Sequence, residues 1–126
     1  MKDIIYKELS YKIVGCAMEV HTKLGYGFLE KVYENALIIE LKNKNINIKK
    51  QVPIKVKYKG EIVGDYIADI LVEDKIIIEI KTSEVISDAY RAQIINYVKA
   101  TDIKLGILIN FGSEKLEYER FINIEE

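Results

Sequence analysis

The sequence predicts an α/β fold of the α+β type, in which helices pack on one mixed β-sheet. Up to about residue 44, apolar residues recur every three or four positions, which is the period of a helix. Beyond that point they alternate or form β-branched runs, which is the pattern of strands. A helical period returns once, before two further apolar runs. The predicted order is therefore α, α, β, β, β, α, β, β.

Two helices begin the predicted fold. From residue 5 to residue 24 the apolar positions form one stripe, and Asp3 is the predicted N-cap. The segment GYG, residues 25–27, ends this helix. A second helix is predicted from about residue 28 to residue 44. Its predicted buried face consists of Leu29, Val32, Ala36, Leu37 and Leu41.

A meander of three antiparallel strands is predicted next, because turn residues interrupt the β-branched run of residues 52–80 twice. The first interruption is Lys59 with Gly60, and the second is Glu73 with Asp74. Ser87 then has the position of an N-cap for a third helix. The run KLGILINF is too apolar for a sheet edge, whereas the alternating run LEYERFINI is predicted to be a more exposed strand.

The length and composition predict one domain over residues 1–126. The formal net charge of −1 excludes an overall positive field that attracts nucleic acid, so any nucleic-acid binding must be local or shared with a partner. Cys16 is the only cysteine, which excludes an internal disulfide and fits a reducing compartment. No apolar run reaches the roughly 18 residues of a membrane span, and the N-terminus is too charged for a signal peptide. We predict a cytoplasmic protein without a membrane partner.

Two carboxylates, Asp69 and Glu79, interrupt the apolar strands on either side of the second turn. A charge in a buried strand costs several kcal/mol unless it is paired or binds a metal. If the loop is centred on Asp74, paired positions add to 148 and Asp69 faces Glu79 directly across the hairpin. A two-residue loop would turn Asp69 to the opposite face unless a bulge restored the register.

Side-by-side carboxylates repel each other unless one is protonated or a cation lies between them. Carboxylate oxygens suit Mg²⁺ or Mn²⁺, while His21 is the only histidine and no Cys/His cluster for zinc is present. Lys81 shares a strand face with Glu79, because residues two apart point the same way. Beside a metal, a lysine can orient or deprotonate a water or stabilise a pentavalent phosphate. The pattern indicates metal-dependent phosphodiester hydrolysis.

The Glu-x-Lys spacing alone is a weak signal in a charge-rich chain. The same spacing occurs at Glu40 with Lys42 and at Glu73 with Lys75. Glu79 differs from both because isoleucines flank it, whereas Glu40 lies on a predicted helix and Glu73 in a turn.

The order Asp69, then Glu79-Ile80-Lys81, resembles the signature of the PD-(D/E)XK nuclease superfamily, with Ala68 in place of the proline of that signature. The resemblance implies a restriction-endonuclease-like core and a Mg²⁺ or Mn²⁺ cofactor.

A closer resemblance is to the GxxExxY family, a group of small prokaryotic proteins assigned to that superfamily. It rests on Gly27, Glu30 and Tyr33 in the run GFLEKVYE, and on the helix AQIINYVKA, where Gln93 and Tyr97 match polar positions. Residues four apart share one helix face. The resemblance implies Asp69, Glu79 and Glu30 as metal ligands. The implied catalytic residues are Asp69, Glu79, Lys81, Glu30, Gln93 and Tyr97.

Each of the helical positions also has a structural interpretation. Glu30 in the first turn of a helix is favourable against the macrodipole without any function. Gly27 allows a tight connection between helices, and Gln93 can cap exposed backbone near a sheet end. Tyr33 and Tyr97 fit packing positions whose hydroxyls are solvated.

Two functions follow from the sequence. The first is a Mg²⁺-dependent nuclease acting on DNA or RNA; its phosphate contacts would come from hairpin lysines, which fit a solvated strand face equally well. These are Lys49, Lys50, Lys55, Lys57 and Lys59. The alternative is a non-catalytic module of the same fold that binds a protein partner or a second copy of itself.

Overall fold

The computed structural model describes residues 4–123, and this part of the chain has the predicted element order and the predicted mixed α/β class. Its helices and strands are α1 Lys7–Leu24, α2 Glu30–Asn43, β1 Ile48–Tyr58, β2 Glu61–Val72, β3 Ile76–Lys81, α3 Asp88–Thr101, β4 Leu105–Asn110 and β5 Glu117–Ile122.

The strands form one sheet in the order β1-β2-β3-β4-β5. The first three strands are an antiparallel meander, β3 and β4 are parallel, and β5 returns antiparallel to β4. Helix α3 makes the crossover between the parallel strands, as a parallel connection requires. Every residue of β4 is buried between two neighbours, whereas β5 lies at the edge and is partly exposed, which confirms both predictions.

Both predicted hairpin turns are present. Lys59 and Gly60 have φ of 51° and 83°, and Glu73 and Asp74 have φ of 52° and 56°. Two consecutive residues at positive φ are typical of the turns whose twist matches paired strands.

Helices cover both faces of the sheet. Helices α1 and α2 pack on one face, against isoleucines of β3 such as Ile76, Ile78 and Ile80. Helix α3 packs on the other face, where Tyr97 and Val98 contact the opposite side of the same strands. Strand β3 is therefore buried on both faces, which explains its nearly unbroken isoleucine run.

Two details of the helices differ from prediction. Helix α1 begins after Tyr6, and Asp3 lies outside the described residues. Leu29 is 81% exposed and Val32 is also exposed, so their assignment to the buried face of α2 is wrong. The reason is that Leu29 is the extended N-cap of a helix that starts at Glu30. The buried face of α2 is instead formed by Tyr33, Glu34, Leu37, Ile38 and Leu41.

Helix α3 starts as predicted, because the Tyr90 N–H donates to the Ser87 hydroxyl over 3.2 Å. Within residues 4–123, no helix is long and apolar enough to span a bilayer.

Candidate active site

The hairpin register that places Asp69 opposite Glu79 is confirmed. Strands β2 and β3 pair Val72 with Ile76 and Ile70 with Ile78, so paired positions add to 148. Lys75 donates its N–H to the carbonyl of Val72 over 2.8 Å and lies outside the ladder as the third residue of the loop. This extra residue sets the register.

Where the regular ladder between β2 and β3 ends, the carboxylates of Asp69 and Glu79 replace backbone carbonyls as hydrogen-bond acceptors. The Asp69 N–H donates to Glu79 Oε2 over 2.8 Å, and the Ile80 N–H donates to Asp69 Oδ2 over 2.8 Å. Each side chain therefore accepts a hydrogen bond from the backbone of the opposite strand. We call Asp69 and Glu79 the carboxylate pair.

The carboxylate pair lies where the sheet opens. Beyond it, the remainder of β2 pairs only with β1, while Glu79, Ile80 and Lys81 pair only with β4. The β2–β3 ladder therefore ends at the carboxylate pair, and beyond it the two strands no longer pair with each other.

The electrostatics of the pair are those of two acids sharing one site. Glu79 is 3% exposed. Burial first, and the charge of Asp69 second, raise its pKa from 4.5 to about 8, although the hydrogen bond from the Asp69 N–H and the charge of Lys81 act in the opposite direction. Burial also raises the pKa of Asp69, against the hydrogen bond from the Ile80 N–H. In the absence of a cation, the pair therefore holds a proton near neutral pH.

The donor chemistry of the pair fits a divalent cation. Within the described residues, Asp69 Oδ1 and Glu79 Oε1 accept no hydrogen bond, because the backbone donors use only the other oxygen of each group. Mg²⁺ is commonly held by one or two carboxylates together with water and substrate phosphate. A cation would also remove the repulsion that raises the pKa of Glu79.

Lys81 lies close enough to lower the pKa of both carboxyls. Its Nζ is 4.7 Å from the centroid of the Tyr90 ring, a cation–π distance, and it forms no direct ion pair within residues 4–123. The ammonium group is therefore positioned beside the pair without being neutralised by it.

The strand end that carries Lys81 is fixed by Asn110, which the sequence did not single out. The fully buried Asn110 amide accepts from the Ser83 N–H over 3.0 Å and donates to the Ser83 carbonyl over 2.8 Å. Gly112 lets the two backbones approach, since a Cβ there would lie 2.3 Å from the Ser83 nitrogen. Asn110 pairs with Lys81 in the register, so this contact holds the lysine's strand in place.

A second residue that sequence reasoning missed is the carboxylate Glu34 on α2. It is 4% exposed, and its charge raises the pKa of Asp69. Lys31 donates to it over 3.0 Å, and the Gln51 amide donates to both of its oxygens over 3.0 and 3.1 Å. The sequence did contain a signal for Glu34, because it falls on the apolar stripe of α2 beside Tyr33. A glutamate that is buried on such a stripe needs hydrogen-bond or charged partners.

Glu30 starts α2 and is exposed, and its charge raises the pKa of both members of the carboxylate pair. It therefore lies on the side of α2 that influences the site. Among residues 4–123, however, no three His, Cys, Asp or Glu side chains form a group that could hold a metal ion. The structure does not bring Glu30 into one ligand set with Asp69 and Glu79, and its role as a ligand stays a prediction.

Gln93 and Tyr97 share a helix face, as their spacing predicts: the Gln93 Nε2 donates to the Tyr97 hydroxyl over 3.1 Å. Tyr97 packs with Ala68, which directly precedes Asp69, and with Ile77, which lies two residues before Glu79. Burial raises the pKa of the Tyr97 hydroxyl, and the charge of Glu79 adds to the effect. Helix α3 therefore brings both polar residues to the side of the site.

The other motif residues have structural roles. Gly27 has φ of 116°, which favours glycine. The Tyr33 hydroxyl donates to the Gly25 carbonyl over 2.6 Å, and its ring stacks on Phe111 with centroids 4.7 Å apart. His21 contacts the Ser113 carbonyl over 2.9 Å within the same core. Tyr33 is therefore a packing residue as predicted, but its hydroxyl is not solvated: it is buried and fixes the α1–α2 connection.

The hairpin lysines are only partly available for phosphate. Lys49 pairs with Asp74 over 2.9 Å, and Lys55 pairs with Asp65 on the neighbouring strand. The alternative of a solvated strand face therefore fits at least these two lysines.

Comparison with known proteins gives the chain a family. The sequence pattern described as the PD-(D/E)XK nuclease superfamily matches residues 7–121. No curated protein sequence is significantly similar. The fold is similar to the crystal structure of SSO0001, with a TM-score of 0.59 and 20% identity, over 96% of this chain and 59% of that one. The chain thus spans less than two thirds of that relative's length.

A second similar structure is an alkaline exonuclease (LHK-Exo) from Laribacter hongkongensis, with a TM-score of 0.53 and 13% identity, over 97% of this chain and 72% of that one. At these identities the two structures bear on the fold, which agrees with the sheet and helices described above. The sequence match covers nearly the whole chain and includes the carboxylate pair and Lys81. The chain belongs to the PD-(D/E)XK nuclease superfamily.

Proposed function

We propose that this protein is a divalent-metal-dependent nuclease that hydrolyses phosphodiester bonds of DNA or RNA with Mg²⁺ or Mn²⁺ as its cofactor. The observation that carries the proposal is the carboxylate pair, in which the buried Glu79 and the partly buried Asp69 both have raised pKa values beside Lys81, at the point where two strands separate. Membership in the superfamily supports the same chemistry, since its nucleases typically use divalent metals.

Asp69 Oδ1 and Glu79 Oε1 are the atoms that would hold the cation, because the backbone donors occupy the other oxygen of each group. When bound, such an ion polarises the phosphoryl oxygen and lowers the pKa of a bound water. The carboxylate pair must then be fully ionised, so it releases the proton that it otherwise shares.

Lys81 supplies a positive charge beside the carboxylate pair, and within the described residues this ammonium forms no ion pair. In this position it orients the attacking water and stabilises negative charge on the phosphate. Gln93 and Tyr97 present an amide and a hydroxyl from α3 on the same side. Glu30 is the proposed further acid at the mouth of the site.

The test compares two lysines of the same hairpin. Wild type, Lys81→Ala and Lys75→Ala are incubated with single- and double-stranded DNA and RNA, with Mg²⁺ or Mn²⁺ or with EDTA. Lys75 belongs to the turn tripeptide with the same Glu-x-Lys spacing and is exposed, so it is the matched control. We expect metal-dependent cleavage that Lys81→Ala lowers by about 10²- to 10³-fold, the loss typical of one stabilising donor. Lys75→Ala should cleave like wild type.

Absence of metal-dependent cleavage in wild type, together with no thermal stabilisation by either metal, would contradict the nuclease. It would favour the non-catalytic module, whose partner would be another protein or a second copy of the chain. Exposed apolar side chains on α1 and on the edge strand β5 would then be the first surface to test. They are Tyr11, Met18, Tyr118 and Ile122.

We also infer membership in the GxxExxY family and a cytoplasmic location. The first rests on the spacing of Gly27, Glu30 and Tyr33, two of which the structure uses to build the connection into α2. The second rests on the single cysteine, Cys16, which is buried and free.

A further inference from the structure

We propose that the groove between the β1–β2 hairpin and α3 binds an unpaired nucleobase of a single-stranded nucleic acid, and that the base stacks on Tyr66. This inference rests on the proposed nuclease function, because Tyr97 both lines the groove and packs against the strands that carry the carboxylate pair. It adds a substrate class to that function: single strands rather than intact duplex.

The groove follows from the separation of β2 and β3. On the N-terminal side of Asp69, β2 pairs with β1 and no longer with β3. This part of the hairpin lies beside α3, where Tyr66 and Tyr97 are in ring contact. The space between them has a volume of about 750 Å³. Small residues of α3, Ala89 and Ala92, leave it open on one side, and Val56 and Tyr66 of the hairpin line the other.

Tyr97 lies between the groove and the strands that carry the carboxylate pair. Tyr97 lines the groove and packs with Ala68, which directly precedes Asp69, and with Ile77, two residues before Glu79. A base in the groove would therefore belong to a nucleotide near the one whose phosphate reaches the pair.

Tyr66 offers the stacking surface. It is 51% exposed although it lies in a strand, and its ring centroid is 5.8 Å from that of Tyr97 at an angle of 46°. Gly64 makes room for the ring, since a Cβ at that position would lie 3.1 Å from the Tyr66 Cε2 atom. Stacking of one base on an aromatic side chain contributes about 1–3 kcal/mol and suits every base, because each has a π-face.

Gln93 provides a polar group for the edge of a base. Its Nε2 donates to the Tyr97 hydroxyl, while its buried Oε1 has no partner in the described structure. If the amide oxygen and nitrogen are exchanged, the oxygen faces the Tyr97 hydroxyl and the nitrogen has no hydrogen-bond partner. One polar atom of Gln93 therefore remains unpaired in either orientation. The last torsion of a glutamine is broad, which lets the amide turn toward a ligand in the groove.

The charge around the groove favours a single strand over a duplex. Lys99 lines the groove, but Lys55 of the hairpin is already paired with Asp65, and the chain has a net charge of −1. Duplex binding without sequence preference depends on many phosphate contacts. Base stacking needs fewer, because the ring supplies much of the affinity.

The experiment measures binding, not cleavage, so that it is independent of catalysis. Fluorescence anisotropy with labelled short oligonucleotides in EDTA compares single-stranded DNA, single-stranded RNA and duplex DNA. The variants are Tyr66→Ala, Tyr66→Phe and, as the matched control, Tyr58→Ala. Tyr58 is 64% exposed at the tip of the same hairpin and does not line the groove.

We expect wild type to bind single strands more tightly than duplex, and Tyr66→Ala to weaken single-strand binding by about 5- to 150-fold. Tyr66→Phe and Tyr58→Ala should bind like wild type, because the first keeps the ring and the second leaves the groove intact. If Tyr66→Ala does not fold, Tyr66→Leu retains apolar contact with Tyr97 and removes the ring. Preference for DNA over RNA, or the reverse, identifies the source of the base, and either supports the proposal.

Three results would overturn it: preference for duplex, no single-strand binding by wild type, or equal losses in Tyr66→Ala and Tyr58→Ala. The proposed nuclease function can fail separately. Single-strand binding by the wild-type protein without metal-dependent cleavage would reject the nuclease and retain the groove.

Discussion

Two glutamates in neighbouring regions of the molecule are buried to almost the same extent and have different surroundings. Glu34 on α2 is 4% exposed, and Glu79 on β3 is 3% exposed. The protein gives Glu34 one ammonium and one amide, with three hydrogen bonds from Lys31 and Gln51. It gives Glu79 one backbone N–H from Asp69, whose own carboxylate lies beside it.

The difference teaches that burial alone does not identify a functional acid. Burying a charge is unfavourable in free energy, and the hydrogen bonds from Lys31 and Gln51 offset part of this cost for Glu34. Glu79 is left with a free oxygen and a like-charged neighbour, so burial and repulsion raise its pKa to about 8. An acid whose missing partner has to come from outside the protein is the better candidate for binding a cation or substrate. The two glutamates therefore allow matched experiments.

The largest expected effect is on metal binding. At pH 8, Mg²⁺ or Mn²⁺ at about 100 times its dissociation constant should stabilise wild type by about 2.7 kcal/mol, or roughly 10 °C in melting temperature. Glu79→Gln should abolish this rise, because the amide keeps an acceptor for the Asp69 N–H but loses the charge. Differential scanning fluorimetry measures the shift.

Glu34→Gln is the control for that experiment and should keep the metal-induced rise. If both variants lost it, Glu34 would belong to the metal site and the distinction between the two regions would fail.

The next effect concerns pH in the metal-free protein. Because the pKa of Glu79 is raised on folding, the folded protein keeps a proton that the unfolded chain releases above pH 4.5. The proton on Glu79 therefore contributes to the free energy of unfolding in full below pH 4.5, and this contribution is lost as pH rises toward about 8. The slope should be at most about 1.4 kcal/mol per pH unit, the value for one proton.

Urea unfolding in EDTA between pH 5 and pH 8 measures this slope. Glu79→Gln should flatten it, since the carboxyl group whose pKa is raised to about 8 is gone. A variant with the full wild-type slope would show that another group carries the proton.

The register of the site was predictable because it depends on local chemistry. Glu73 and Asp74 marked a turn, and the two acids flank it at equal distance from Asp74. The sequence left the loop length open, since a two-residue turn was equally consistent with these residues. In the structure Lys75 lies outside the ladder, so the loop has three residues. This loop length depends on the backbone conformation, and no pattern of side chains in the sequence indicates it.

The contacts that support the site were not predictable, because they join distant segments. Gln51 reaches Glu34 from a strand where its own φ is 53°, a conformation uncommon for glutamine. Asn110 reaches Ser83 only because Gly112 lets the backbones approach. Helical periodicity also placed Leu29 inside α2, since it cannot locate an N-cap that lacks a side-chain hydrogen bond. Each case depends on tertiary packing.

The smallest expected effect tests the structural role assigned to Glu34. Gln51→Met removes the amide that donates to both Glu34 oxygens and leaves Lys31 as the remaining donor. Hydrogen bonds to a charged group contribute about 1.5–3 kcal/mol, but Gln51 is exposed and water replaces part of the loss, so we expect destabilisation of about 1 kcal/mol. Lys50→Met, an exposed neighbour on the same strand, controls for added apolar surface.

Urea unfolding measures the stability of Gln51→Met, and scanning fluorimetry measures its response to Mg²⁺ or Mn²⁺. We expect lower stability with an unchanged metal-induced shift, because the cation binds the free oxygens of the carboxylate pair rather than Glu34. The opposite pattern, unchanged stability with a smaller metal shift, would mean that Gln51 holds Glu34 for the site rather than for the fold. Glu34 would then be a further acid of the active site, and its charge, which already raises the pKa of Asp69, would act on the metal.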